Sequence, residues 1–489
     1  MADRVVDATA MPRHEAQLEP DALGVAQDVV IGMATSAPAV SVGLTLAALA
    51  LATAYGSLVI VIITAIPMLI IANAYRRLNL WNANCGASFE WVGRAINPYL
   101  GFMTGWLMIA GNVIGTVSGV IVLGPSVLAI FNGDATAAWP NVWITTAVVL
   151  VLLAIAVAGI RLTARTQVSL AIVEYTILIG FAILGMVEVL GHHKGTFPVT
   201  SGWFSLHGIG GKGSPVAGFL LAVFAFTGWD ATVYVNEEVR HKHRNPGRAA
   251  VIAVACLAVI YSISIFGLQG GVSPSKLQAH SSSALVYIAQ ALAGGNGNWA
   301  KVMALALALS VIGTTGTSIV VIARILYGMA SRRTLPVFLA NVSPRFRTPT
   351  SASILTGVLL IVIGAVYLLA TTVQNAFTYL IDDSGILYIS FYVLTALATI
   401  VYYRRRVISS AWNAVILGVL PFAAAAFLTW VLVKSMLSAP APQNWALAGT
   451  AALGIVLLLS ARFIQKSSFF SIPRESAGRV SHRADSRAL

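Results

Sequence analysis

The sequence predicts an all-α polytopic membrane protein with twelve transmembrane helices, and three observations carry that reading. Hydrophobic residues make up 58% of the chain and charged residues 10%, with a mean hydropathy of +0.84, far too apolar for a soluble protein of 489 residues. The 47 residues from Val29 to Tyr75 carry no charge. A span takes about 20 apolar residues, so that run holds two helices turning at Tyr55-Gly56-Ser57. With a cytoplasmic N-terminus, 25 of the 30 Lys and Arg residues fall in inner segments, as the positive-inside rule requires.

Residues 1–24 are polar and of mixed charge (Asp3, Arg4, Asp7, Arg13, Glu15, Glu19, Asp21). They read as a cytoplasmic tail, since a cleavable signal would show a basic segment and then a short apolar core. Charge-poor runs place helices at 27–54, 56–75, 98–130, 142–160, 168–190, 216–236, 249–271, 301–330, 351–371, 377–402, 410–433 and 445–463. An even number puts both termini on the cytoplasmic side of the inner membrane. Only Lys194, Lys212, Lys276, Lys301 and Lys434 then lie outside. The net charge of +13 is spread over short inner loops facing an anionic leaflet, so the partner it implies is membrane lipid and not nucleic acid. The domain reading is a tail over 1–24, a core of ten helices over 25–405, two further helices over 406–465 and a cytoplasmic tail over 466–489. Cys85 falls in a loop and Cys256 in a helix, which predicts neither a disulfide nor a cysteine metal site.

Two stretches interrupt otherwise continuous spans. In Ile31-Gly-Met-Ala-Thr-Ser-Ala-Pro-Ala-Val-Ser-Val-Gly43, Pro38 lacks an N–H and its ring clashes with the preceding turn, so the ladder opens near Thr35 and Ser36. In Phe224-Ala-Phe-Thr-Gly-Trp-Asp-Ala231, polar groups and a glycine fall in the middle of the sixth span. Backbone freed in this way is tolerated in a bilayer only where protein or a wet cavity satisfies it. Two interrupted helices in matching halves of a chain point to a transporter's substrate site, whereas one alone could equally be a kink that shapes the bundle. The breaks lie five spans apart. So do Val113-Ile-Gly-Thr-Val-Ser-Gly119 and Val311-Ile-Gly-Thr-Thr-Gly-Thr317, in the third and eighth spans, which suggests an inverted repeat or a shared close-packing face.

Other stretches keep a characteristic order and spacing. They are Gly86-Ala-Ser-Phe-Glu-Trp-Val-Gly93 before Asn97-Pro-Tyr-Leu-Gly101 and Gly105-Trp106; Asn236-Glu-Glu238 and Asn245-Pro-Gly-Arg248 after the second break; and Ala323-Arg-Ile-Leu-Tyr-Gly-Met-Ala330 through Leu335-Pro336 to Thr348-Pro349. With the broken helices they resemble the amino acid–polyamine–organocation (APC) superfamily of permeases, of the bacterial amino acid permease type, over residues 25–405. The resemblance implies a LeuT-type fold: a five-plus-five inverted repeat with helices 1 and 6 discontinuous, plus two further helices. It also implies a secondary active transporter that moves a small amino acid by alternating access, coupled to H⁺ or to substrate exchange, with no cofactor and no ATP site. Many members carry a Gly-Ser-Gly-like run at the first break and some a lysine in the fifth helix. Here Thr35-Ser36-Ala37-Pro38-Ala39 and Glu174 stand at those places.

Half-helix ends supply the chemistry such a site needs. N–H groups starting the outer half of helix 1 present the positive end of a helix dipole, which suits an α-carboxylate, and carbonyls ending a half-helix suit an ammonium group. The backbones of Ser36, Ala37 and Ala39 are the carboxylate candidates. The carbonyls of Phe226 and Thr227, with the Ser36 region, are the candidates for the amine. Phe226 and Trp229 sit on the second break, where an aromatic ring either closes over substrate or packs. Asn112 and Thr116 are candidates for the side-chain pocket. Asp230 suits capping or packing of the break. Glu174, inside the fifth span, is the candidate coupling acid, with Thr315, Thr317 and Ser318 of the eighth. Burial favours a neutral acid and a bound cation favours the carboxylate, so such a group can carry a proton as access alternates, and the same hydroxyls could ligate Na⁺. Asp382 and Asp383 open the tenth helix close to the outer surface and read as solvated, with attraction of cationic substrates as the alternative.

A membrane-embedded enzyme is the rival class. His14, His192, His193, His207, His241, His243, His280 and His482 all fall in expected loops or tails, and neither a His-Glu-x-x-His pattern nor a nucleotide-binding P-loop occurs. Two other readings stay open at this point: a polyamine or other amine permease, and a transport-inactive sensor.

Overall fold

The computed structural model describes residues 17–43, 46, 56–191, 196–206, 215–273, 276, 280 and 284–477, with the backbone alone for 373–378. Tyr55 of the expected turn, most of the N-terminal tail, Lys194, Lys212, His192, His193, His207 and residues 478–489 lie outside the described residues. The described chain is helical, and its one β-type contact is a parallel bridge between Leu23 and Val239.

The helices follow the order of the apolar runs. They are α1 (Val25–Thr35, resuming over residues 38–43), α2 (Ser57–Trp81), α3 (Ser88–Ala95), α4 (Pro98–Ile130), α5 (Ala138–Ala158) and α6 (Ile160–Leu190). Next come α7 (Pro215–Ala225), α8 (Ala231–Tyr234), α9 (Asn245–Gln269), α10 (Ala284–Leu292), α11 (Gly297–Ser331), α12 (Thr350–Ala370) and α13 (Val373–Tyr402). The last two are α14 (Ala411–Ser438) and α15 (Ala441–Ile464). Eleven helices among the described residues are long and apolar enough to cross a membrane. The sixth expected span, 216–236, falls short of that length because its break splits it into α7 and α8.

Small residues decide which helix takes the centre. In α11, Gly313, Thr314, Thr315, Gly316, Thr317 and Ser318 are all buried, and the helix packs against α1, α4, α5, α6 and α12. Small side chains allow that close approach inside a bilayer, where apolar surface gains little by leaving lipid. The peripheral α15 keeps Leu453, Ile455, Val456 and Leu459 exposed, as a lipid-facing helix does.

One expectation changes, and one stretch is more closely packed than its sequence requires. The stretch read as a C-terminal tail is packed as far as it is described: Phe469, Phe470 and Ala477 are buried, Glu475 N–H donates to Arg94 O, and Phe469 stacks on Phe89 at 4.2 Å. Its aromatic pair covers apolar surface at Phe89 and Gly93. Asp383, read as solvated, is 7% exposed, because Gln443 of α15 sits against it.

Candidate substrate site

Each break forms for local reasons. Thr35 and Ser36 turn their hydroxyls back onto Ile31 O and Gly32 O, at 2.8 and 3.1 Å, competing with the ladder that Pro38 cannot continue. Ala37 bridges the gap at φ +46°, a left-handed conformation that costs a non-glycine residue about 1–2 kcal/mol. At the second break Thr227 donates its hydroxyl to Phe224 O at 2.7 Å, and Gly228 adopts φ +100°.

The two breaks lie backbone against backbone. A Cβ on Gly228 would sit 2.7 Å from the carbonyl carbon of Thr35, and one on Gly32 would sit 2.9 Å from Trp229 O. Tyr261 of α9 ties them together, its hydroxyl 2.7 Å from Ala225 O and 3.4 Å from Ser36 O. Thr314 of α11 donates to Ala34 O at 2.7 Å, so an opened carbonyl of helix 1 is satisfied by a neighbouring helix.

Beside this junction lies a cavity of about 30 Å³ walled by the breaks, α4, α11 and α13. It has room for about two water molecules, so a larger molecule enters only when the helices separate. Ser36, Ala37, Thr116, Thr227 and Ser318, all read from sequence as site residues, lie on its wall, together with Phe224, Gly115, Gly119, Thr314 and Tyr388. None of the residues lining it is charged.

Other sequence candidates stand behind the wall. Asn112 Oδ1 accepts the Tyr388 hydroxyl at 2.9 Å and so orients that ring. Phe226 is fully buried, edge-on to Tyr261 at 5.2 Å. Trp229 is also fully buried, stacked on Tyr392 at 5.4 Å and edge-on to Tyr75 at 5.1 Å, away from the cavity wall. Asp230 makes no side-chain cap to α8; its carboxylate accepts the hydroxyls of Tyr234 and Tyr392, which ties the second break to α13. Ala39 N–H donates to Glu174 Oε1 at 3.0 Å.

The hydroxyls of α11 sort by face. Thr317 bonds back to Gly313 O and Thr314 O, and the Thr315 hydroxyl has no hydrogen-bond partner among the described residues. Ser310, missed in the sequence, bonds Glu174, and Thr314, also missed, reaches helix 1. The readable signal was spacing: 310, 314 and 318 are four apart and share one helix face.

A model of the amino acid permease family matches residues 29–458. The chain belongs to this family. Among relatives of this permease, an uncharacterized transporter of Mycobacterium bovis is 24% identical over 70% of this chain and 73% of its own. The human Asc-type amino acid transporter 1 is 26% identical over 54% of this chain and 47% of its own, so the match spans about half of that relative. The structure is similar to a manganese transporter of Eremococcus coleocola, with a TM-score of 0.60 at 13% identity, covering 90% of this chain and 94% of that one. It is also similar to MhsT, solved in complex with L-phenylalanine, with a TM-score of 0.57 at 16% identity over 85% of this chain and 99% of that one. The permease therefore has the LeuT-type fold and is a multi-pass membrane transporter, not an enzyme.

Proposed function

We propose that this permease is a secondary active transporter moving a small amino acid across the cytoplasmic membrane, with both termini cytoplasmic, driven by H⁺ or by exchange of substrate. The observation that carries the proposal is the closed cavity where the two helix breaks meet, walled by hydroxyls and aromatic rings with no charged side chain among its lining residues. A zwitterion brings its own compensating charges to neutral walls and needs only oriented backbone dipoles for its ends. A polyamine would need acids on the wall to offset its charges. The amino acid transported by the human relative, by its name, supports the same substrate class. H⁺ is the preferred coupling ion, since a proton needs one buried acid and no complete oxygen cage, and Glu174 is that acid.

The test is uptake of radiolabelled amino acids by the purified protein in liposomes. Accumulation should follow an imposed pH gradient or a load of internal substrate, collapse with a protonophore in the first case, and need no ATP. Strict dependence on ATP, or uptake of polyamines with no uptake of any amino acid, would overturn the proposal.

A further inference from the structure

We infer that Glu174 occupies the seat that the substrate's carboxylate takes, so that one substrate carboxylate and one proton enter together. The inference rests on the reading of this permease as an amino acid carrier.

It follows from where the N–H groups at the first break go. Ser36 N–H donates to Met33 O and Ala37 N–H to Ala34 O, each at 3.1 Å, and Ser41 N–H donates to Ala37 O at 2.8 Å. Pro38 has none. Two donors remain: Val40 N–H, 3.5 Å from Ser310 Oγ, and Ala39 N–H, which donates to Glu174 Oε1 at 3.0 Å. Ala37, Val40 and Ser41, on either side of Ala39, line the cavity. The donors nearest the cavity that could hold a carboxylate are therefore already engaged by the protein's own carboxyl and its Ser310 partner.

Among the described residues, no other group facing Glu174 competes for it. Helices α1, α5, α9, α10 and α11 pack against α6. The groups acting on the carboxyl are Ala39 N–H from α1, the Ser310 hydroxyl from α11, Tyr261 from α9 and its neighbour Tyr175. None of these is a cation. The same two donors can seat one carboxylate and not two, because a second would bring like charges into contact there. When the substrate's carboxylate arrives, Glu174 leaves the seat and, buried and unpaired, takes a proton from water in the opened pathway. In that water a hydronium ion gives up one O–H bond and is left as H2O while one O–H bond forms on Glu174; no bond of the substrate breaks, and the charge on the seat is the same before and after.

The experiment is isothermal titration of the purified full-length protein in detergent, in two buffers of different ionisation enthalpy, between pH 6 and pH 8. The probes are L-alanine, L-serine and L-leucine, compared with L-alaninamide and ethanolamine, which lack a carboxylate. The expected result is proton uptake approaching about one per amino acid bound, with a Kd that rises about tenfold per pH unit where that uptake is complete. The carboxyl-free probes should show neither effect. In Glu174→Gln, amino acid binding should persist, without proton uptake and with a pH-independent Kd. The wild-type titration decides the matter even if that variant does not fold. Amino acid binding with no proton uptake and a flat pH profile overturns this inference and leaves amino acid transport standing. So does proton uptake that survives in Glu174→Gln. Binding of the carboxyl-free probes alone overturns both readings.

Discussion

Arg324 and Glu238 form a doubly hydrogen-bonded ion pair with both side chains fully buried, Nε to Oε2 at 2.9 Å and Nη2 to Oε1 at 2.8 Å. The pair joins α11 to the turn that follows the second break. Glu238 O accepts Leu23 N–H and Leu23 O accepts Arg240 N–H, each at 3.0 Å, so the segment entering helix 1 is fastened at the same point. Removing one partner strands a buried charge. Arg324→Met should cost about 3–5 kcal/mol, and the double variant Arg324→Met/Glu238→Met should recover most of it. Thermal unfolding of the two single variants and the double variant checks this; additive losses would mean that the side chains do not act as a pair.

Trp229 and Phe224 should separate stability from transport. Trp229 sits among Tyr75 and Tyr392 away from the cavity, so Trp229→Ala should cost about 3–5 kcal/mol of stability, with Trp229→Phe milder. Phe224 lines the cavity. Phe224→Leu, which nearly conserves volume, should cost less than about 1.5 kcal/mol while raising the KM for uptake several-fold. Melting curves and uptake kinetics on the same preparations distinguish the two roles.

Glycines at the site should respond in opposite ways. Gly119 lines the cavity, and a Cβ there would meet nothing within 4 Å. Gly119→Ala should therefore fold at least as well as wild type, gaining up to about 1 kcal/mol of helix propensity. Gly119→Leu should selectively lose uptake of the larger amino acids. Gly228→Ala places a Cβ 2.7 Å from Thr35 at φ +100°, and should lose at least about 1–2 kcal/mol together with transport. Equal behaviour of Gly119→Ala and Gly228→Ala in melting assays would contradict the contact between the breaks.

The C-terminal strap is held mainly by apolar packing. Phe469 is buried against Phe89 and over Gly93, so Phe469→Ala should cost about 3–5 kcal/mol. The Arg94–Glu475 bridge at 2.6 Å is partly exposed, at 20% and 38%. Glu475→Gln should cost no more than about 1 kcal/mol, with a difference that shrinks as salt screens the pair. Unfolding at low and high ionic strength measures both.

Much of this architecture could be read in one dimension because its causes are local. Pro38 opens helix 1 whatever surrounds it, and Thr227-Gly228 interrupts the sixth span within a few residues of where the helix ends at Ala225. Glu174 stood out as an acid inside an apolar run. Thr315, Thr317 and Ser318 stood out as neighbours in sequence, whereas the hydroxyls that meet Glu174 and helix 1, Ser310 and Thr314, lie one turn apart on the face that Ser318 continues. Trp229 looked like a gate because it sits on a break, and its ring turns into an aromatic cluster behind the cavity.

The sequence by itself determined the class, the order of the spans and the two places where they open, since chain composition and proline stereochemistry act without reference to distant residues. Only the tertiary structure decided which donors at the first break are already taken. Ala39 and Glu174 are separated by 135 positions, and whether an N–H is free for substrate depends on which side chain the packed bundle aims at it.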